Sequence, residues 1–323
     1  MAWARAFSYA LAMLTTTGTI GIDTVYTPSG DHRENVLGGS AVYFAAAASF
    51  HGPVGIVAAV GDDFPAHFRA EIAHFRGIDT AGIETRAGSK TFRWGGRYAA
   101  DMDHRETLFT ELNVLIEEPP RVPGAYAASE VVFLANMHPG VQRKLAAQLP
   151  KRRLTVADTM DLWIETARAE LELLLGDVDG LVLNFDEAEQ LTGRRNPVTA
   201  GRLLLDYGPR FIVVKKGEHG AILVHREGIA ALPAFPSERV VDPTGAGDSF
   251  AGGMMGSIAA HAARERRSAQ ELGSFESVRR AMAHGTVAAS FTIEQFSLGR
   301  MRELTRSELD ARYHQYMQML RLE

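Results

Sequence analysis

The chain has 323 residues, of which 46% are hydrophobic and 23% charged, with a formal net charge of −5 and no cysteine. This composition is typical of a globular protein with a sizeable core, and the acidic balance argues against a nucleic-acid-binding protein. The absence of cysteine excludes disulfides and thiolate metal sites, which fits a cytoplasmic location. No run approaches the roughly 20 apolar residues of a membrane helix, so we expect no membrane partner.

The first part of the chain predicts an extension, a strand, a hairpin and a helix. We expect residues 1–12 to lie outside the fold and a single domain to run from 13 to 323. Thr15–Ile22, rich in Thr and Ile, predicts a strand. Thr24–Thr27 and Arg33–Leu37 flank a Pro-Ser-Gly-Asp turn and predict a hairpin. A Gly-Gly-Ser sequence then opens an Ala-rich stretch that predicts a helix ending near Phe50.

The next segments predict a buried strand over Pro53–Val60, a helix over Phe64–Phe75 and a second hairpin from Lys90–Ala100 and Glu106–Leu112. Beyond two consecutive prolines, short apolar runs alternate with helical stretches, which predicts an α/β fold with a parallel sheet covered on both faces. In such sheets ligands bind beyond the carboxyl ends of the strands. The predicted strands are Val131–Ala135, Leu154–Ala157, Gly180–Asn184, Phe211–Lys215 and Ala221–His225.

The segment Asp242-Pro-Thr-Gly-Ala-Gly-Asp248 carries the chemistry. It follows an apolar run and precedes a helix of small residues. Gly245 and Gly247 let backbone amides approach an anion, and the helix N-terminus adds unpaired N–H groups and the positive end of its dipole. Asp248, at the start of that helix, can accept a proton from a substrate hydroxyl. Together these features indicate a site for phosphoryl transfer.

This segment resembles the C-terminal signature of the ribokinase-like PfkB carbohydrate kinase family. Gly38-Gly39-Ser40-Ala41 and Gly61-Asp62-Asp63 resemble its N-terminal signature, Asn184-Phe-Asp-Glu187 matches its Asn-X-X-Glu motif, and Lys216–Gly220 resembles its nucleotide-side strand and turn. The resemblance runs from about Met13 onward. It implies a ribokinase-like three-layer sandwich with a central, mostly parallel sheet. Segments of about 23–37 and 88–113 would form a small β-sheet lid over the substrate.

The resemblance also implies ATP as phosphate donor, Mg²⁺ as cofactor and a role for each matching residue. Asp248 would be the general base, and the amides of Gly245, Ala246 and Gly247 would form the anion hole. Glu187 would act on Mg²⁺ indirectly, and Asp242 would lie near a monovalent cation such as K⁺. The residues expected on the nucleotide are Asn184, Glu187, Lys216, Gly217, Gly220 and Thr244.

On the acceptor side the chain departs from its best-known relatives. Tyr43 stands where ribokinase, fructokinase and adenosine kinase carry a sugar-binding Asn. Asp23 would bind substrate hydroxyls, since a carboxylate with two acceptor oxygens suits a vicinal diol. The residues expected on the acceptor are Asp23, Gly38, Gly39, Tyr43, Arg93 and Asn113.

The acceptor itself stays open at this point. We predict a kinase that phosphorylates a hydroxyl of a sugar or sugar-like molecule. The alternatives are a nucleoside kinase, a phosphosugar kinase relying on Arg93 and Arg97 of the lid, and a non-catalytic sugar or nucleotide binder. The intact glycine loop and Asp248 argue against the last of these. Relatives also suggest a homodimer formed through the lid.

Overall fold

The computed structural model describes residues 14–265 and 268–321, so the predicted extension over residues 1–12 lies outside the described residues. The strands in this part of the chain are β1 (Leu14–Thr17), β2 (Gly21–Tyr26), β3 (His32–Gly38), β4 (Val54–Gly61), β5 (Ile78–Arg86), β6 (Phe92–Tyr98), β7 (Arg105–Glu111), β8 (Val131–Leu134), β9 (Leu154–Asp158), β10 (Gly180–Asn184), β11 (Phe211–Lys215), β12 (Ala221–His225) and β13 (Gly228–Leu232).

The α-helices of the same residues are α1 (Ser40–Ser49), α2 (Ala66–His74), α3 (Pro139–Ala147), α4 (Asp161–Thr166), α5 (Arg168–Asp177), α6 (Phe185–Thr192), α7 (Pro197–Leu205), α8 (Ala246–Glu265), α9 (Ala269–Leu272), α10 (Phe275–Thr292), α11 (Gly299–Glu303) and α12 (Arg306–Met319). Short 3₁₀ turns cover Asn113–Ile116, Gly124–Tyr126 and Gly217–His219.

A nine-stranded sheet forms the centre of the fold, in the order β13-β12-β11-β10-β9-β8-β1-β4-β5. Every neighbouring pair from β11 to β5 is parallel, and β12 and β13 add an antiparallel edge. Its inner strands are buried on both faces, which explains their uninterrupted apolar sequences. One face packs on α1, α8 and α10, with Phe44, Met254 and Phe291 in the core, and the other packs on α3, α5 and α7, with Leu145 and Leu174. The three-layer α/β architecture is therefore confirmed.

A second, four-stranded sheet has the order β3-β2-β6-β7. It joins the two predicted hairpins through a parallel pairing of β2 with β6. We call this sheet the lid. In β6 the side chains of Phe92, Trp94 and Tyr98 are buried and share one face, whereas Arg97 is exposed on the other. The register shift against β7 falls between Gly95 and Gly96 and does not interrupt this alternation.

The predicted single strand over Thr15–Ile22 is wrong. The chain forms β1 in the large sheet, leaves it at Gly18, and enters the lid as β2. Gly18 permits this crossing because a Cβ there would lie 2.8 Å from Ala135 and 2.9 Å from Ser40. The edge strands β5 and β13 were not predicted, because both mix exposed and buried positions without the strict alternation that identifies a strand.

Candidate active site

A cleft of about 930 Å³ lies between the lid and the carboxyl ends of the parallel strands. This is the edge where ligands bind in parallel α/β sheets. Its lining brings together residues from both predicted halves of the site. The predicted residues that line it are Asp23, Gly39, Tyr43, Asn184, Glu187, Gly217, Gly220, Thr244, Gly245, Ala246, Gly247 and Asp248.

The glycine loop is held in place by its first residue. Asp242 is buried, and its carboxylate accepts hydrogen bonds from the Thr244 amide at 2.9 Å and the Ser297 amide at 3.4 Å. Gly245 has a φ of 75°, and a Cβ there would fall within the ring of Tyr43. Only glycine fits this position, for both conformational and steric reasons. Tyr43 therefore forms the floor beneath the loop.

Helix α8 begins inside the loop, so its N-terminus faces the cleft. The Ala246 amide donates to the Pro243 carbonyl at 3.1 Å and the Ser249 amide donates to the Gly245 carbonyl at 2.8 Å. The Ala246 amide is therefore engaged in the turn itself. The positive end of the helix dipole and the remaining part of the loop suit an anionic phosphoryl group.

Asp248 lies in the first turn of α8 and faces the cleft. Burial, reinforced by the negative charge of Asp158, raises the pKa of Asp248 to about 7, although Lys215 and Arg105 act in the opposite direction. A carboxylate with a pKa near neutrality is well suited to accept a proton at physiological pH.

Asn184 and Glu187 start helix α6 as a reciprocal capping box. The Asn184 side chain accepts from the Glu187 amide at 2.7 Å, and the Glu187 carboxylate accepts from the Asn184 amide at 2.7 Å. Burial, which is the larger cause, and the negative charge of Asp158 raise the pKa of Glu187 to about 8. The cap fixes both side chains at the carboxyl end of β10, where they line the cleft.

An ion pair, whose lysine was not predicted, completes this side of the cleft. Lys215 ends β11, and its Nζ lies 3.7 Å from Oδ2 of Asp158, which ends β9. Both side chains line the cleft, whereas the predicted Lys216 does not. The Lys216 amide instead donates to the Gly220 carbonyl at 2.7 Å and closes the strand–turn.

On the lid side, Asp23 is 4% exposed and its Oδ1 has no hydrogen-bond partner among the described residues. Burial, followed by the charges of Asp242 and Asp248, raises the pKa of Asp23 to about 8. Gly38 is required beside it, because a Cβ at Gly38 would collide with this carboxylate. An unpaired buried acceptor is costly, so a substrate hydroxyl is its natural partner.

The aromatic face of β6 forms the wall opposite the sheet. Phe92, Trp94 and Tyr98 all line the cleft, and the Tyr98 hydroxyl lies 3.1 Å from Oγ1 of Thr244. This contact joins the lid to the glycine loop. Arg105, another residue that we did not predict, also lines the cleft and lies 5.4 Å from the Trp94 ring centroid.

At the end of β8 an amide is held in a fixed orientation. Trp163 Nε1 donates to Asn136 Oδ1 at 2.8 Å, and the Asn136 amide nitrogen lies 2.9 Å from the sulfur of Met160. An indole N–H is only a donor, so it fixes the amide oxygen toward Trp163. The Asn136 NH₂ donates to Met160, so its second N–H is the donor that this residue can offer to the cleft that it lines.

Three of the predicted acceptor residues, Gly38, Arg93 and Asn113, do not line this cleft. Arg93 extends from the other face of the lid and donates to Asn35 Oδ1 at 3.0 Å. Asn113, with a φ of 46°, donates its amide to the Thr91 carbonyl at 2.8 Å. The side chains of Arg93 and Asn113 are engaged within the lid and at its base, away from the site.

The carboxyl groups that line the cleft decide whether Mg²⁺ could bind there. Among the described residues, no three His, Asp or Glu side chains converge closely enough to bind a metal ion by themselves. The carboxyl groups of Asp158, Glu187 and Asp248 nevertheless all lie near the ammonium group of Lys215. Mg²⁺ usually retains several waters and binds through few carboxylates and substrate phosphates, so this donor set fits it.

In the part of the chain that the structure describes, no helix is long and apolar enough to cross a membrane.

Comparisons with known proteins agree with this geometry. The chain is 31% identical over 244 residues to the cytidine kinase of Thermococcus kodakarensis, covering 74% of this chain and 85% of that protein. Its fold is similar to that of Burkholderia thailandensis nucleoside kinase in complex with inosine, with a TM-score of 0.73, 17% identity and coverage of 94% and 99% of the two chains. It is also similar to an E. coli ribokinase II candidate in complex with ATP and Mg²⁺, with a TM-score of 0.70, 18% identity and coverage of 94% and 100%.

The family model described as pfkB family carbohydrate kinase matches residues 13–304. This range includes the lid, the glycine loop and all nine strands of the central sheet. The chain therefore belongs to the pfkB family of carbohydrate kinases, phosphotransferases that act on a hydroxyl group of a small molecule.

Proposed function

We propose that this kinase uses ATP and Mg²⁺ to phosphorylate a ribose hydroxyl of a nucleoside. The observation that carries the proposal is the composition of the cleft wall. The aromatic side chains of β6 face the same cavity as the unpaired carboxylate of Asp23. A nucleoside offers both a flat base for aromatic packing and a vicinal diol for a carboxylate.

In this proposal the site residues have separate tasks. Asp248 accepts the proton of the acceptor hydroxyl as its oxygen attacks the γ-phosphorus. Asp23 accepts hydrogen bonds from the two neighbouring ribose hydroxyls and so orients the attacking oxygen. The glycine loop and the N-terminus of α8 receive the anionic phosphoryl group. Asn184 and Glu187 would hold the hydration shell of Mg²⁺, which when bound would neutralise charge on the donor phosphates.

The fixed amide of Asn136 supports a base-bearing acceptor. Its NH₂ is directed away from Trp163 and can donate to a carbonyl or ring nitrogen of a nucleobase. The names of two similar proteins, a cytidine kinase and a nucleoside kinase bound to inosine, agree with this choice. A simple sugar is the second candidate, because the diol contact with Asp23 serves it equally well. A phosphosugar is less well supported, because Arg93 and Arg97 do not line the cleft.

The test is ADP release across matched panels of nucleosides, free sugars and sugar phosphates. We expect a nucleoside to give the highest kcat/KM, with free ribose at least tenfold lower because it lacks the base. A free sugar or sugar phosphate as the best acceptor would contradict the nucleoside assignment. No ADP release with any acceptor, from folded protein that binds ATP, would contradict catalysis altogether.

Three further features belong to the proposal. K⁺ activates the enzyme near Asp242, whose buried carboxylate retains acceptor capacity beyond its two amide contacts. The kinase forms a homodimer through the outer face of the lid, where Leu108 and Phe109 are 36% and 38% exposed. It resides in the cytoplasm, as the lack of cysteine suggests. Replacing K⁺ by tetramethylammonium tests the first feature. Light scattering of Phe109→Ser tests the homodimer, and cell fractionation tests the location.

A further inference from the structure

Lys215 is a cation placed at the glycine loop. It is the last residue of β11, paired with Asn184 of β10 and Ala221 of β12. A Cβ at Gly247 would lie 2.9 Å from its Nζ, so the ammonium group rests directly against the loop. Its side chain is 16% exposed and lines the cleft. A positive charge therefore lies beside the N-terminus of α8, where the phosphoryl group is expected.

Asp158 holds this ammonium group in position. One carboxylate oxygen of Asp158 accepts from the Thr159 amide at 2.8 Å, and the other faces Lys215 Nζ at 3.7 Å. The Asp158 side chain is only 6% exposed. Buried Gln142 donates to the Asp158 carbonyl at 3.0 Å and to the Leu134 carbonyl at 2.8 Å, which ties the ends of β9 and β8 together. The support behind Lys215 is consequently rigid.

The surroundings keep Lys215 charged. Burial by itself favours the neutral amine, but the charges of Asp158, Glu187 and Asp248 outweigh it and raise the pKa of Lys215. Lys215 is therefore an ammonium ion at neutral pH and acts through its charge and its N–H donors, without transferring a proton.

A purely stabilising role does not explain this arrangement well. Buried ion pairs often contribute little net stability, because desolvating two charges offsets their attraction. At 3.7 Å the Lys215–Asp158 contact is longer than a strong charge-assisted hydrogen bond. The ammonium group thus retains donor capacity, and the cleft is the open side on which to use it.

We propose that Lys215 is a further catalytic residue, whose ammonium group donates to the oxygens of the phosphoryl group during its transfer, and that Asp158 is its positioning residue. In the reaction, the acceptor hydroxyl loses its proton to Asp248 and its oxygen forms a bond to the γ-phosphorus. The bond between that phosphorus and the β–γ bridging oxygen breaks, and ADP leaves with the electron pair. Lys215 remains protonated and stabilises the charge on the transferred group.

This inference rests on the proposed phosphoryl transfer but not on the identity of the acceptor. Its test compares Lys215→Met with Lys216→Met, a matched control at the adjacent lysine outside the cleft lining. We expect Lys215→Met to lower kcat roughly 10²- to 10³-fold, as loss of one transition-state donor typically does, with acceptor KM within about threefold. Lys216→Met should retain kcat within about threefold.

A second measurement separates catalysis from folding and from failure of the proposed function. ADP with aluminium fluoride and Mg²⁺ mimics the transferring phosphoryl group and needs no acceptor turnover. Calorimetry should show that Lys215→Met loses at least tenfold in affinity for this complex but less than threefold for ADP alone. An equal loss for both ligands, or none, would overturn the inference whether or not an acceptor is known.

If Lys215→Met does not fold, the double variant Asp158→Asn/Lys215→Met provides the test, because it also removes the uncompensated buried carboxylate. The double variant should fold and show the same loss of kcat and of transition-state mimic affinity. Wild-type kcat in a folded variant lacking Lys215 would overturn the role. Wild-type protein that binds the mimic tenfold more tightly than Lys215→Met but does not turn over nucleosides would instead contradict the proposed acceptor.

Discussion

The two walls of the cleft are built in different ways. The phosphoryl-transfer wall is made from short continuous segments, namely the glycine loop that starts α8 and the carboxyl ends of β9, β10 and β11, and backbone geometry dictates many of its residues. Gly245 has a positive φ above Tyr43, and Asn184 and Glu187 cap one helix reciprocally. The acceptor wall instead assembles single side chains from two sheets, such as Asp23 of β2, Trp94 of β6 and Asn136 after β8. In the proposed function, the first wall fixes the reaction and the second selects the molecule that undergoes it.

Substitution of Asp248 and of Asp23 should separate the two walls most sharply. Asp248→Asn should lower kcat by roughly 10²- to 10⁴-fold for every acceptor, because it removes the general base. Asp23→Asn should mainly raise acceptor KM, because it weakens only the diol contact. Steady-state ADP release with two different acceptors measures both effects, and thermal unfolding confirms that the variants are folded. Comparable kcat in Asp248→Asn and the wild type would remove the basis for a base at this position.

The pH dependence should report on the phosphoryl-transfer wall. Asp248 is active only when ionised, and its pKa is raised to about 7 by burial and Asp158 against the influence of Lys215 and Arg105. Activity should therefore fall toward acid, by about tenfold per pH unit well below 7. The measurement is kcat/KM between pH 5.5 and 8.5 at constant ionic strength. The same slope in Asp248→Asn would assign the titration to another group.

Asn136→Asp should change the acceptor wall alone. The carboxylate can still accept from Trp163, so the fold is retained, but the NH₂ donor becomes an acceptor. We expect KM for nucleosides to rise about tenfold, the effect of a lost or reversed hydrogen bond of about 1.4 kcal/mol. The kcat should change less than threefold, and KM for free ribose should be unaffected. A uniform increase across nucleosides and ribose would show that Asn136 does not read the base.

The smallest expected effect concerns a region remote from both walls. His284 stacks on Tyr313, with ring centroids 4.0 Å apart, and contacts the edge of the His51 ring. Burial, aided by His261 and Arg306 and opposed by Asp310, lowers the pKa of His284 to about 4. Below about pH 6.5, the unfolded chain therefore binds a proton on His284 that the folded chain does not bind. The contribution of buried His284 to the free energy of unfolding should be fully present above that pH and about 2 kcal/mol lower at pH 5.

Denaturant unfolding at pH 7.5 and 5 measures this loss, which His284→Gln should reduce. The exposed His314→Gln serves as the matched control and should leave the pH dependence unchanged. If His284→Gln and His314→Gln behave alike, burial of His284 does not govern acid sensitivity. The comparison also separates pH effects on the fold from those on catalysis.

Much of the fold could be predicted from the sequence because buried parallel strands and glycine-rich turns leave local patterns. The break between β1 and β2 could not, because a continuous Thr- and Ile-rich stretch serves two sheets and only the packing of Gly18 separates them. Edge strand β5 was likewise not predicted, because its exposed and buried residues do not alternate strictly.

The site was predictable where a motif constrains the backbone and less so where it depends on side-chain direction. In the pair Lys215-Lys216, a shift of one residue decides which side chain reaches the cleft, and a strand buried on both faces offers no alternation to settle it. Arg105 was missed for a related reason, since every residue of β7 is exposed and its pattern does not show which side faces the substrate.

The most direct test of the proposed nucleoside kinase function is the structure of a complex with a nucleoside and a non-hydrolysable ATP analogue. We predict that the attacking hydroxyl oxygen lies about 3 Å from the Asp248 carboxylate, within hydrogen-bond reach of the base. The other ribose hydroxyls should contact Asp23, and the γ-phosphate should lie between the glycine loop and Lys215. A nucleoside bound with its hydroxyls away from Asp248, or with its base in place of the γ-phosphate, would contradict the central claim.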